Sequence, residues 1–141
     1  MKVRDIMMAE VVTLKVEEEL SLASDIMTLA RIRHLPIVEG DRLVGIISQR
    51  DLFKASLASV VGHDYQESRD HLKTVTLKDV MIKDVITIEP DSEIRTAGRI
   101  MLEKKIGCLP VIQDNTLVGM VTETDILQFY VSGHQEDITS D

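Results

Sequence analysis

The chain has 141 residues and a mass of 15.8 kDa, enough for one domain or two small modules. Hydrophobic residues make up 44% and charged residues 28%, a globular composition, and no apolar run approaches the roughly 20 residues of a membrane helix. A net charge of −8, 3% aromatic residues and no Trp exclude a general phosphate-backbone or base-stacking surface, although a local site can still bind a small anion. The single cysteine, Cys108, excludes an internal disulfide and a Cys-based zinc cluster. Met1-Lys2-Val3-Arg4-Asp5 is not an apolar signal segment, so a cytoplasmic location is the expectation.

Sliding the chain on itself by 74 residues aligns 3–54 with 77–128 without a gap, and 15 of the 52 pairs are identical. Each copy opens on Asp-Ile-Met (5–7) or Asp-Val-Met (79–81). A β-prone run follows, over 11–14 or 85–88. Leu20, Ala23, Ile26, Met27 and Ala30 then recur at helical spacing, as do Ile94, Ala97, Ile100 and Met101. Asp91 after Pro90 is the expected N-cap of the second helix, with Glu17 at the matching place in the first copy. Next comes a hairpin, 35–38 with 43–47 and 109–112 with 117–121. Its turns, Gly40-Asp41 and Asp114-Asn115, suit positive φ. These strands are continuous apolar runs, which predicts cover on both faces. A second helix starts near Asp51 or Asp125.

The unit is therefore β-α-β-β-α, about fifty residues long, and too small to bury a stable core alone. Two such units are expected to pack sheet to sheet and share a core. The organisation predicted is repeat 1 over 1–62, a linker over 63–76, repeat 2 over 77–131 and a polar tail over 132–141. The linker is read as a break at Gly62-His63-Asp64-Tyr65 and a short polar helix over 66–73.

The sharpest repeated motif is Gly45-Ile46-Ile47-Ser48-Gln49-Arg50-Asp51, matched by Gly119-Met120-Val121-Thr122-Glu123-Thr124-Asp125. Two readings stand side by side. Ser-x-x-Asp and Thr-x-x-Asp are relatives of the capping box. The same groups also suit an anion at a helix start and a ribose diol on the aspartate. Capping does not account for the glycine, which admits the close approach of a ligand or of another backbone.

With its Leu35-Pro36-Ile37-Val38 and Leu109-Pro110-Val111-Ile112 strand starts, its Asp-h-Met openings and the Gly-to-Asp motif in order twice, the chain resembles the CBS domain, named after cystathionine β-synthase. The resemblance covers residues 3–131 and extends to two-repeat bacterial proteins of the acetoin-utilisation type. It implies an α/β (α+β) tandem pair with pseudo-twofold symmetry. It also implies clefts between the repeats that bind AMP, ADP, ATP or S-adenosylmethionine, and dimerisation into a flat disk. By the same resemblance Asp51 and Asp125 take the ribose, and Ser48 and Thr122 lie near phosphate or ribose. Thr13, Leu14, His34, Leu35 and Pro36 hold adenine in one site. Thr87, Ile88, Cys108, Leu109 and Pro110 do so in the other.

The copies differ where phosphate matters. Arg50 suits a phosphate and is replaced by Thr124, while Arg31 and Arg33 are replaced by Lys105 and Gly107. The Asp51 site is expected to prefer phosphorylated ligands, the Asp125 site a less charged ligand or none. Arg33 and Arg50 read equally well as surface residues.

Other residues carry plain structural readings beside sharper ones. His34 is a ligand contact, a pH switch or a half-buried structural residue. Cys108 reads as an inert core residue, the methionines as core filler, and Glu17-Glu18-Glu19 as a solvated helix start. His63, His71 and His134 are scattered, so no metal site is expected. No nucleophile or acid–base constellation stands out, so the chain is expected not to be an enzyme. The function expected is a regulatory, energy-sensing module that binds an adenosyl ligand, needs no cofactor and acts on a separate enzyme or transporter. The competing reading is an assembly module with vestigial clefts.

Overall fold

The computed structural model describes residues 1–60 and 75–133. The expectations for 62–73, for the tail beyond 133, and for His63, His71 and His134 lie outside them. In chain order the elements are α1 Val3–Ile6, β1 Leu14–Lys15, α2 Leu20–Ala30, β2 His34–Glu39, β3 Arg42–Ser48, α3 Gln49–Val60, α4 Leu77–Val80, α5 Ile94–Lys104, β4 Cys108–Gln113, β5 Thr116–Thr122 and α6 Glu123–Val131. Among the described residues no helix is long and apolar enough to cross a membrane.

The chain folds as two compact units, and each draws on both repeats. One comprises Val12–Val85; the other comprises Met1–Val11 with Ile86–Asp141. The Asp-h-Met opening of each repeat thus lies in the unit that holds the other repeat's hairpin.

In the first of these units β1 runs parallel to β2, and β2 runs antiparallel to β3. The free edge of β3 is taken by Ile82: the Ile46 N–H donates to the Ile82 carbonyl at 3.0 Å, and the Ile82 N–H returns to the Ile46 carbonyl at 2.8 Å. The other unit repeats the plan. β4 pairs antiparallel with β5, Ile88 bridges in parallel to Val111, and Met8 closes the β5 edge through two bonds with Met120 at 2.8 and 2.9 Å.

Physical chemistry sets the docking of these openings. Each is a single helical turn followed by a methionine. The Asp5 carboxylate accepts the Lys2 N–H at 2.8 Å, and the Thr76 hydroxyl donates to Asp79 at 2.9 Å, so the aspartate tightens the start of each turn. Val3 and Leu77 are fully buried, each in the cluster of its unit. Met7 and Met81 then cross the hairpin at its glycine. A Cβ built on Gly45 would lie 2.5 Å from Met81 Sδ and 3.1 Å from the Ile82 carbonyl; on Gly119 it would lie 2.7 Å from Met7 Sδ and 3.0 Å from the Met8 carbonyl. The motif glycine is therefore accounted for by the close approach of another chain segment.

Each unit has its own buried cluster. One centres on Leu20, Leu35, Ile37 and Ile47, the other on Ala97, Leu109, Val111 and Val121. A fifty-residue repeat thus completes a core by taking in a segment of its counterpart.

The hairpins form as expected. Gly40 alone has positive φ in the first turn, the pattern of a II′ turn, while Asp114 and Asn115 both have it in the second, the pattern of a I′ turn. β2 and β4 are buried along most of their length, as continuous apolar runs predict. The opening strands are shorter than the β-prone runs, Leu14–Lys15 in one copy and a single bridge at Ile88 in the other. Val12 and Ile86 are exposed, because propensity extends a strand only where a neighbouring backbone offers hydrogen bonds. The N-caps also move. Glu19 and Glu93 occupy them, not Glu17 and Asp91. Asp91 instead receives Arg4, with Nε donating at 2.9 Å in a half-exposed ion pair.

The glycine fit predicts that Gly45→Ala and Gly119→Ala each destabilise the protein by about 1–3 kcal/mol, the range for forced overpacking. Denaturant titration checks this. Unchanged midpoints would show that the methionines yield without cost.

Candidate functional site

The hairpin and the helix that follows it bring the motif residues together within each unit. In the first, His34 stands opposite Ser48 across the β2–β3 ladder, and α3 starts at Gln49. In the second, Cys108 stands opposite Thr122, and α6 starts at Glu123. Both helices begin two residues before the expected Asp51 and Asp125, because the hydroxyl residue itself is the cap. A backbone staple fastens each junction: the Gln49 N–H donates to the Arg33 carbonyl at 2.8 Å, and the Glu123 N–H to the Gly107 carbonyl at 2.9 Å.

The capping box is complete in both copies. Asp51 Oδ2 accepts from the Ser48 N–H at 3.0 Å and from the Ser48 hydroxyl at 2.8 Å, while the Asp51 N–H donates to Ser48 Oγ at 3.1 Å. Asp125 Oδ2 accepts from the Thr122 N–H at 2.8 Å and the hydroxyl at 3.0 Å, and the Asp125 N–H donates to Thr122 Oγ1 at 3.2 Å. In each copy both bonds to the carboxylate fall on one oxygen, Oδ2. The other, Oδ1, has no partner among the described residues in either copy. Both aspartates are half-buried, so that oxygen retains acceptor capacity beside the cap.

The remaining expected residues divide by exposure. Leu14, Leu35, Pro36, Ile88, Leu109 and Pro110 are buried core, so their side chains are spent on packing. Ile88 already uses the Pro110 carbonyl, its N–H donating at 3.0 Å. Thr13 is half-buried and Thr87 exposed, each just ahead of the opening strand or bridge. Arg50 and Thr124 are exposed on the first turn of their helices, and Arg33 is exposed ahead of β2. Among the described residues neither arginine has an ion-pair partner.

Cys108 is buried, and desolvation, helped by the nearby Asp125 carboxylate, pushes its thiol from the ordinary value of 9.0 up to about 12. It is a packing residue rather than a nucleophile.

Two features escaped the sequence reading. Met7 and Met81 pack against the cores, as core filler does, and they also sit on the motif glycines; Met7/Met81 and Gly45/Gly119 are both identical pairs, which is the signal for that contact. Glu123 is the other. Its carboxylate folds over Gly107, with Cδ and Oε1 each 3.2 Å from where a Cβ on that glycine would lie.

Two mixed sheets, each closed by an exchanged segment and carrying a capped Gly-to-Asp junction, define a tandem-repeat module of mixed α+β class. The CBS domain family model matches residues 3–58 and 77–132, and the chain belongs to that family. It is similar over its whole length to the crystal structure of a protein described as an acetoin utilization protein, AcuB, from Vibrio cholerae: 32% identity, 98% of that chain covered and a TM-score of 0.80. The CBS domain pair of protein MJ0100, solved with 5′-methylthioadenosine and S-adenosyl-L-methionine, is 30% identical, with 94% of this chain and 97% of that one covered and a TM-score of 0.78. A homoserine O-acetyltransferase of Methanohalobium evestigatum is 36% identical over 126 residues, 88% of this chain. The chain spans only 23% of that enzyme, and less than half of several other curated relatives.

The buried thiol predicts a pH effect. The fold holds the protonated form, so the contribution is intact below about 9.0 and is lost as pH rises from there towards about 12. Denaturation curves are expected to fall more steeply above pH 9 in the native sequence than in Cys108→Ala. A thiol reagent is expected to label the folded protein slowly at pH 8 and the denatured protein fast. Rapid stoichiometric labelling of the folded protein would contradict the assignment.

Proposed function

We propose that the chain is a non-catalytic regulatory module that binds an adenosyl ligand, from AMP, ADP, ATP and S-adenosylmethionine, at its two Gly-to-Asp junctions. The observation that carries the reading is the division of labour on Asp51 and Asp125. Oδ2 is held by the capping box, while Oδ1 is left as an acceptor for a ribose hydroxyl. The similarity to an MJ0100 pair that holds two adenosyl compounds supports the same ligand class.

Around that contact, Ser48 and Thr122 border the ribose or phosphate. Thr13, with the backbones of Leu14, Leu35 and Pro36, and His34 face adenine in one site. Thr87, with the backbones of Ile88, Cys108, Leu109 and Pro110, does so in the other. Arg33 and Arg50 give the Asp51 site a preference for phosphorylated ligands. The module works as a homodimer in the cytoplasm, and regulates a separate enzyme or transporter. Ligand acts by population shift, favouring the state it binds more tightly.

One observation favours a second reading. The capping boxes are completed by the chain's own groups, as they would be in an assembly module whose sites are vestigial.

Thermal-shift and calorimetric titration with AMP, ADP, ATP, S-adenosylmethionine and NAD separates the two. A ligand at 100 times its Kd is expected to stabilise the protein by about 2.7 kcal/mol. Asp51→Ala or Asp125→Ala is expected to abolish that gain, beyond the cap loss of about 0.5–2 kcal/mol seen without ligand. No shift at millimolar ligand would leave the assembly reading standing.

A further inference from the structure

We propose that Glu123 is a charge filter that closes the Asp125 site to phosphorylated adenosyl ligands and leaves it to ones with an uncharged or cationic 5′ group. The inference rests on the adenosyl-binding reading above, and adds the residue that sets specificity and the ligand class it selects.

The two junctions are superposable in plan and opposite in charge. At the first, the staple joins Gln49 to Arg33, a neutral amide and a guanidinium, and the next residue is Arg50. At the second, the staple joins Glu123 to Gly107, and the next residue is Thr124. Counting the aspartate, the four matched positions carry one net positive charge around Asp51 and two net negative charges around Asp125.

Glycine at 107 decides where the acid lies. With no side chain there, the Glu123 carboxylate settles over the peptide that leads into Cys108, 3.2 Å from the position of the missing Cβ. A side chain at 107 would have to displace it. The acid is exposed, but it is held against the strand start and follows the capping Thr122, two residues before Asp125. A 5′-phosphate on a ribose held by Asp125 would meet this carboxylate and find no basic residue at the two matched places, 107 and 124. A thioether or sulfonium at the same place meets no repulsion, and the sulfonium gains attraction. Like-charge contact of this kind is a specificity device: it rejects the wrong ligand without improving the right one.

The test is calorimetry on the full chain with three probes that differ at the 5′ group: AMP, anionic; 5′-methylthioadenosine, uncharged; and S-adenosylmethionine, a sulfonium. Asp51→Asn isolates the Asp125 site. In that background 5′-methylthioadenosine is expected to bind more tightly than AMP. Adding Glu123→Gln is expected to tighten AMP roughly tenfold, the equivalent of about 1.4 kcal/mol, to weaken S-adenosylmethionine, and to leave 5′-methylthioadenosine unchanged. The gain for AMP is expected to shrink at high salt, as a charge effect must. A Glu123 that only supports the start of α6 would change thermal stability and leave the ranking of the three probes alone; that result, or equal binding of AMP and 5′-methylthioadenosine before the substitution, overturns the filter. If no probe binds any variant, the adenosyl reading itself fails. If 5′-methylthioadenosine binds without charge discrimination, only the filter does.

Discussion

A methionine thioether resting against a glycine is the contact on which both units depend. Gly45 receives Met81, and Gly119 receives Met7, at distances that leave no space for a Cβ. From this fit the edge of the hairpin becomes a sheet edge with a partner. Ile82 and Met8 supply two backbone hydrogen bonds each, and Leu77 and Val3 carry the one-turn helix into the core. An open edge would have exposed unpaired backbone groups and a cleft in the core. The exchanged segment removes both, which is how a repeat too small to stand alone acquires a complete core.

The same hairpin runs from the glycine to the site. Only two residues separate Gly45 from Ser48, and Gly119 from Thr122. The strand that grips the incoming segment at its middle delivers the capping hydroxyl at its end. The aspartate that completes the cap turns one oxygen to the helix start and leaves the other as an acceptor. Structural and ligand-binding readings of the motif are therefore compatible at the level of single atoms. This explains why spacing alone could not choose between them.

Much of this was legible in the residues. The gapless repeat gave the element order, and continuous apolar runs marked β2 and β4 as buried strands. Gly40 and Asp114-Asn115 marked the turns. What failed to show was long-range. Nothing local to Asp-Ile-Met says that it pairs with a hairpin over a hundred residues away, because docking of this kind depends on a complementary space and not on propensity. Asp91 has the chemistry of an N-cap, but a tertiary partner, Arg4, engaged it and the helix began later, after Glu93. The run over 85–88 has strand propensity throughout, yet only Ile88 meets a neighbour. Glu123 looked like an ordinary acid in a first helical turn until Gly107 was seen beneath it.

Amide hydrogen exchange read residue by residue tests the segment exchange most directly. The Met8 and Ile82 amides each donate to the far edge of a hairpin, so they are expected to be protected as strongly as amides of the β2–β3 and β4–β5 ladders. In Gly119→Ala, protection is expected to fall at Met8 and persist at Ile82. Exchange of Met8 and Ile82 at the rate of unstructured chain, with the ladders still protected, would contradict the account.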